Sequence, residues 1–111
     1  MNDDLSTGHK DLLPNNIQFL KCNINNKNKI ASLIKKNNFD VLMHFAGFIQ
    51  VEESVKNPEK YFSNNNDNAI KLFETCFENN LKNIIFSSTA AAYGNPKTNK
   101  VISETEKICP I

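Results

Sequence analysis

Two stretches of this chain are almost continuously apolar, and each ends on small or hydroxyl-bearing residues. Phe39-Asp40-Val41-Leu42-Met43-His44-Phe45 runs into Ala46-Gly47-Phe48, and Lys82-Asn83-Ile84-Ile85-Phe86 runs into Ser87-Ser88-Thr89-Ala90-Ala91. A strand with one face in water alternates apolar and polar residues. A continuous run is covered on both faces, as in parallel sheets. Parallel neighbours need a crossover long enough for a helix, and Pro58 to Asn80 provides one, with Ala69, Leu72, Phe73, Cys76 and Phe77 at the spacing of one helical face. Upstream, Asn25 to Asn38 sets Ile30, Leu33 and Ile34 at the same spacing, and Ile17-Gln18-Phe19-Leu20 is a short strand candidate. The order strand, helix, strand, helix, strand predicts an α/β fold around a parallel sheet.

The rest is punctuation. Asp3 to Pro14 reads as a polar loop with Ser6-Thr7-Gly8 as its turn signal. A loop is expected through Val55, a helix start at Asn57-Pro58, a helix end at Asn79-Asn80, and a polar loop from Pro96 onward. With 111 residues, no repeats and no interior boundary, residues 1–111 read as part of one domain. A net charge of +1 gives no footprint for nucleic acid or an anionic membrane. No apolar run approaches membrane-spanning length, and the N-terminal residues lack the pattern of a signal peptide. Cys22, Cys76 and Cys109 are widely spaced, which points to neither a zinc site nor a disulfide framework and makes a reduced, cytoplasmic setting the expectation.

In open parallel α/β sheets, ligands lie beyond the carboxyl ends of the strands. Gly47 there suits an ordinary turn or the close approach of a ligand. Ser87, Ser88 and Thr89 suit sugar hydroxyls or the cap of a following helix. Asp3 and Asp4 suit ribose hydroxyls or plain solvation, and His44, inside an apolar run, reads as a hydrogen-bonded core histidine. Asn64, Asn65 and Asn66 read as surface residues of a helix, with Asn64 the one in reach of the sheet edge. No G-x-x-G-x-x-G run is present to seat a pyrophosphate on a helix N-terminus. Tyr93, followed by Pro96-Lys97, is not read as a Tyr-x-x-x-Lys pair.

Taken together, Asp3-Asp4-Leu5-Ser6-Thr7-Gly8-His9-Lys10, Phe39 to Ser54, Asn57 to Asn65 and Lys82 to Gly94 resemble the UDP-glucose 4-epimerases of the extended short-chain dehydrogenase/reductase superfamily. The resemblance implies a Rossmann-like NAD-binding domain and an isomerase of galactose and nucleotide-sugar metabolism. In that family a tyrosine takes the proton of the sugar 4-hydroxyl, C4 gives its hydride to NAD, and the turned keto sugar recovers it. Carried over, Asp3 holds the adenosine ribose, with Asp4, Leu5, Ser6, Thr7 and Gly8 lining that pocket and Asn23 and Ile24 beside the adenine. Phe45, Ala46, Gly47, Phe48 and Ile49 run along the cofactor, with Asn64 and Ser87 also on it. Thr89 bonds the reacting hydroxyl of a UDP-hexose and relays its proton, while Ala90 and Ala91 shape the sugar pocket. Related 4,6-dehydratases carry Asp-Glu after that threonine. The apolar pair here favours epimerisation.

The chain departs from the family pattern at Asn23 (usually Asp), Ile49 (commonly Lys), Glu52 (Gly) and Asn66-Asp67-Asn68 (Val-Asn-Gly). The resemblance places a first strand with its glycine-rich loop before Asp3 and the Tyr-x-x-x-Lys pair after Ile111. The chain alone is therefore expected neither to hold NAD nor to epimerise sugar, and the missing middle strand of a 3-2-1-4-5 order leaves two apolar edges. Full-length relatives of this kind are expected to be homodimers. Two rival readings are a UDP-N-acetylhexosamine or UDP-uronate 4-epimerase, and a non-catalytic relic of the fold.

Overall fold

The computed structural model describes residues 1–95 and 101–110. Its strands are β1 (Asn2–Asp3), β2 (Leu20–Lys21), β3 (Leu42–His44) and β4 (Ile84–Phe86). Both pairings are parallel: Asn2 lies opposite Leu20, and Leu42, Met43 and His44 lie opposite Ile84, Ile85 and Phe86. Among the described residues the four strands form two separate two-stranded sheets, β1–β2 and β3–β4, rather than one. Between them lies an apolar groove of about 470 Å³, bordered by Met1 to Asp3 on one side and Val41 to Ala46 on the other. The resemblance implied two apolar edges; of the strands beside the groove, β3 is Leu-Met-His, whereas β1 is Asn2–Asp3 and polar. Asn2 Oδ1 is buried beside the groove without a partner. The Cα radius of gyration, 16.5 Å, exceeds the roughly 13 Å of a close-packed chain of this length.

The packed core lies under two helices, α1 (Lys27–Lys36) and α4 (Asn68–Glu78). Asn26 caps α1 by accepting from the Lys29 N–H, and Lys35 and Lys36 complement the dipole at its other end. Ile30 and Ile34 then meet Leu72, Cys76 and Leu81, with Ile24, Leu42 and Phe73 against them. Each fully buried side chain of this kind stabilises by about 1.5–3 kcal/mol relative to exposure. At the end of α4, Asn80 is left-handed at φ 63°; its N–H donates to the Phe77 carbonyl and that of Leu81 to Cys76. That pattern turns Leu81 back onto Cys76 and confirms the expected helix stop at Asn79-Asn80.

Several expectations need correction. The α4 stripe does not include Phe77, which is 55% exposed. Thr75 is buried instead, its hydroxyl satisfied by the Lys71 carbonyl at 2.7 Å. The stretch before Pro58 is not all loop, because Val51–Lys56 forms a short helix, α2. From Pro58 the chain runs as one helical rod: α3 (Pro58–Tyr61), a π-helical segment (Phe62–Asp67) and α4. Asp3 belongs to a strand, and the expected strand at Ile17–Leu20 is displaced to Leu20–Lys21, because β1 supplies partners only there.

Candidate functional site

The ends of β1, β2 and β3 open on one polar cavity of about 160 Å³. It is lined by Asn2, Asp3, Asp4, Ser6, Thr7, Cys22, Asn23, Ile24, Phe45 to Phe48 and Asn64. Of the residues expected beside a cofactor, Leu5, Gly8, Ile49 and Ser87 are not in this lining. Leu5 instead shapes the turn: at φ 61° it occupies a conformation unusual for its type, held by its N–H donating to Asp3 Oδ1 at 2.6 Å. Gly8 packs against Asp3, so closely that a Cβ would stand 2.9 Å from the Asp3 carboxylate. Larger residues would push the carboxylate aside.

Asp4 is the organised acid. Its Oδ1 accepts from the Ser6 N–H at 2.9 Å and its Oδ2 from the Asn23 amide at 2.7 Å. The Ser6 hydroxyl and N–H hold its carboxyl below the usual carboxylate value against the opposing effect of burial, with smaller help from the Asn23 amide and the Lys21 charge. Asn23 also accepts from the Asn25 N–H. This explains the departure at position 23. An aspartate there would set a second carboxylate against Asp4, whereas the amide donates to it.

A second, larger cavity of about 430 Å³ adjoins the first. Phe45 to Val51, Ser54, Tyr61, Asn65 and Phe86 to Thr89 line it. Here lie Ser87 and Ile49, the latter 89% exposed. Thr89 caps the 3₁₀ turn Ala90–Tyr93, its Oγ1 accepting from the Ala91 N–H at 3.2 Å. That bond uses an oxygen lone pair and leaves the hydroxyl proton to donate, so capping and sugar binding are compatible. Ala90 and Ala91 lie in the turn beyond and are absent from the cavity lining.

No described tyrosine is placed as a base. The Tyr61 hydroxyl donates to Glu53 Oε2 at 2.9 Å, and burial followed by that carboxylate pushes its pKa up. Lys60 pairs with the other Glu53 oxygen. Lys97 does stand four residues after Tyr93, so the spacing alone fits Tyr-x-x-x-Lys and does not exclude the pair. Tyr93 closes its turn and Gly94, at φ 67°, leaves the helical region at once, so Tyr93 is not followed by a continuous helix. Gly94 is obligatory, since a Cβ would collide with the Cys109 carbonyl at 2.1 Å. Pro96 and Lys97 themselves lie outside the described residues.

His44 ends β3 beside the apolar groove, 3% exposed, with its ring stacked on Phe86 and edge-on to Phe73. Aromatic packing holds it, and burial lowers its pKa. Asn65 and the Glu53–Tyr61 pair were missed as site residues. No sequence signal marks Asn65, whose orientation depends on the π-helical segment.

Residues 2–111 match the family described as GDP-mannose 4,6 dehydratase. The chain belongs to that family. Among curated relatives, a bifunctional UDP-glucose 4-epimerase and UDP-xylose 4-epimerase of Pisum sativum is 41% identical over 85 residues, covering 77% of this chain and 24% of its own length. The UDP-Glc/GlcNAc 4-epimerase of Campylobacter jejuni superposes with a TM-score of 0.83 at 40% identity, over 99% of this chain and 35% of that one. A UDP-glucose 4-epimerase of Brucella ovis, solved with NAD, gives 0.87 at 34% identity over 99% and 33%. The chain thus spans about a quarter to a third of the length of these relatives. Its two strand pairs and flanking helices are part of a Rossmann-like fold. Among the described residues, no helix is long and apolar enough to cross a membrane.

Proposed function

We propose that this chain forms the adenosine-side pocket and the hexose-facing hydroxyl of an NAD-dependent enzyme that epimerises a UDP-hexose at C4, within galactose metabolism in the cytoplasm. One observation carries the reading: the polar cavity of Asp3, Asp4 and Asn23 shares the wall Phe45–Phe48 with the cavity that contains Thr89. A volume of about 160 Å³ is below that of a whole-ligand pocket and suits one part of a ligand, such as a ribose. The donor set fits that part of NAD: the Asp3 carboxylate accepts from ribose hydroxyls, Asp4 stays ionised, and Asn64 borders the same space. When bound, NAD supplies reversible storage of a hydride.

The remaining chemistry belongs to the chain. The Thr89 hydroxyl accepts from the sugar 4-hydroxyl and donates onward, a relay that needs both capacities. Ala90 and Ala91 present neither the acid nor the base that eliminating water would need at those positions, and C4 epimerisation needs neither there. Since neither Tyr61 nor Tyr93 is set to accept a proton, the chain alone is expected to turn over no sugar nucleotide.

The test is a chimera in which residues 2–111 replace the matching third of the Brucella ovis enzyme. The expected result is retained NAD and interconversion of UDP-galactose and UDP-glucose, with Thr89→Ala lowering kcat by about 10²-fold or more. A folded, NAD-loaded chimera that leaves UDP-hexoses unchanged, or eliminates water from them, would sink the proposal. Faster turnover of UDP-N-acetylgalactosamine than of UDP-galactose would replace the substrate.

A further inference from the structure

The run Asn64-Asn65-Asn66 carries more than a solvated helix face. Within the π-helical segment, Asn64 and Asn65 are half-buried while Asn66 is exposed. The Phe48 N–H donates to Asn65 Oδ1 at 2.8 Å, and Asn65 Nδ2 donates to the Phe48 carbonyl at 2.9 Å. Asn64 Nδ2 donates to the same Oδ1 at 2.9 Å, which fixes the orientation of the Asn65 amide. One side chain therefore satisfies both backbone groups of a residue beyond the end of β3, in the manner of a neighbouring strand. The Asn65 amide lies directly against Gly47, where a Cβ would stand 3.4 Å from Oδ1, at ordinary contact distance. The Phe48 ring is held from the same rod, with the Lys60 ammonium 4.8 Å over it and the Tyr61 ring 5.5 Å away.

Phe48 lines both cavities, Asn64 the first and Asn65 the second. We infer that Asn65 is a positioning residue: its amide clamps Phe48 and so fixes the course of the wall that the two cavities share. A π-helical segment suits this role, because its wider turn re-aims side chains relative to an uninterrupted α-helix. The clamp stands on hydrogen-bond geometry. Its importance for a cofactor rests on the proposed NAD reading.

Amide hydrogen exchange on the whole chain, with and without NAD, tests it. In Asn65→Asp the carboxylate keeps an acceptor for the Phe48 N–H but turns an oxygen towards the Phe48 carbonyl. Exchange at Phe48 should rise about tenfold near pH 7, while Leu72 and Ile30 in the core stay as in the parent. On acidification the carboxyl gains a proton and becomes a donor again, so the difference from the parent should close, which loss of bulk packing would not produce. Asn65→Leu, which removes both bonds and carries no titratable group, should loosen Phe48 at least as much and at every pH. An unchanged Phe48 amide in both variants overturns the inference, as does a pH-independent effect in Asn65→Asp or equal loosening of Leu72. If the Phe48 pattern appears but NAD alters no amide of the parent chain, the clamp stands and NAD binding by the chain alone is excluded.

Discussion

The two strand pairs share parallel geometry and are held by opposite means. Around β3–β4 the chain is packed: Ile30, Ile34, Leu72, Cys76 and Leu81 are buried together, and the His44 ring sits between two aromatic rings. Around β1–β2 it is bonded: the N-terminal amine donates to the Gln18 carbonyl, Asp3 closes a turn, and Asp4 joins Ser6 to Asn23. Cys22 is the buried apolar residue on that side. The candidate site lies at the seam. A rigid, packed half thus carries the aromatic wall and hydroxyls, and a locally bonded half presents the acids, so damage to the two should be felt at different scales.

The largest effect is expected in the packed half. Leu72 is 4% exposed at the centre of the core, and Leu72→Ala should cost about 3 kcal/mol by lost burial and an unfilled cavity. Met43, on β3 and facing the open groove, is 55% exposed, and Met43→Ala should cost less than about 1 kcal/mol. Urea unfolding of both variants checks this. Equal losses would mean that the groove is closed in solution, and the contrast between covered and uncovered faces would fail.

The second effect is a pH dependence confined to the packed half. Burial holds His44 below its ordinary pKa, so the unfolded chain binds its proton more readily than the folded one. Stability is therefore fully present above about 6.5 and is lost as pH falls from there through the lowered folded value. The urea midpoint should be lower at pH 5.5 than at pH 7.5, and His44→Phe, which keeps the ring and removes the titration, should flatten that slope. A slope surviving His44→Phe would assign it elsewhere.

The packed half is also the part legible in sequence. Continuous apolar runs announced β3 and β4, 3.6-residue spacing announced α1 and α4, and Asn57-Pro58 announced the start of the rod. The bonded half was not legible as structure. A two-residue strand such as β1 has no periodicity and exists only through its pairing with β2. Helix α2, Val-Glu-Glu-Ser-Val-Lys, offers just Val51 and Val55 at helical spacing, both exposed, and its Glu53 is tied to Lys60 and Tyr61 of the next helix. The clamp of Asn65 depends on a π-helical segment that no residue pattern announces. Tyr93 shows the converse: residue spacing does not reveal that the helical turn ends there, at a left-handed Gly94.

The smallest effect belongs to Asp4, and it probes the comparison most sharply. Its carboxyl is held below the usual value by Ser6, Asn23 and Lys21, so the ionised form favours the folded turn. That contribution is present above the ordinary carboxylate range and is lost as pH falls through the lowered folded value. Asp4→Asn should shift global stability by less than about 1 kcal/mol, because the group is largely in water and its bonds are local. At neutral pH the Ser6 amide should nevertheless exchange several-fold faster, with Leu72 unmoved, since Ser6 N–H loses a charged acceptor and nothing in the core changes. If Leu72 loosened in step with Ser6, the bonded and packed halves would open as one unit. The seam would then be a rigid joint, and the pocket at the ends of β1, β2 and β3 would owe its shape to the core rather than to its own hydrogen bonds.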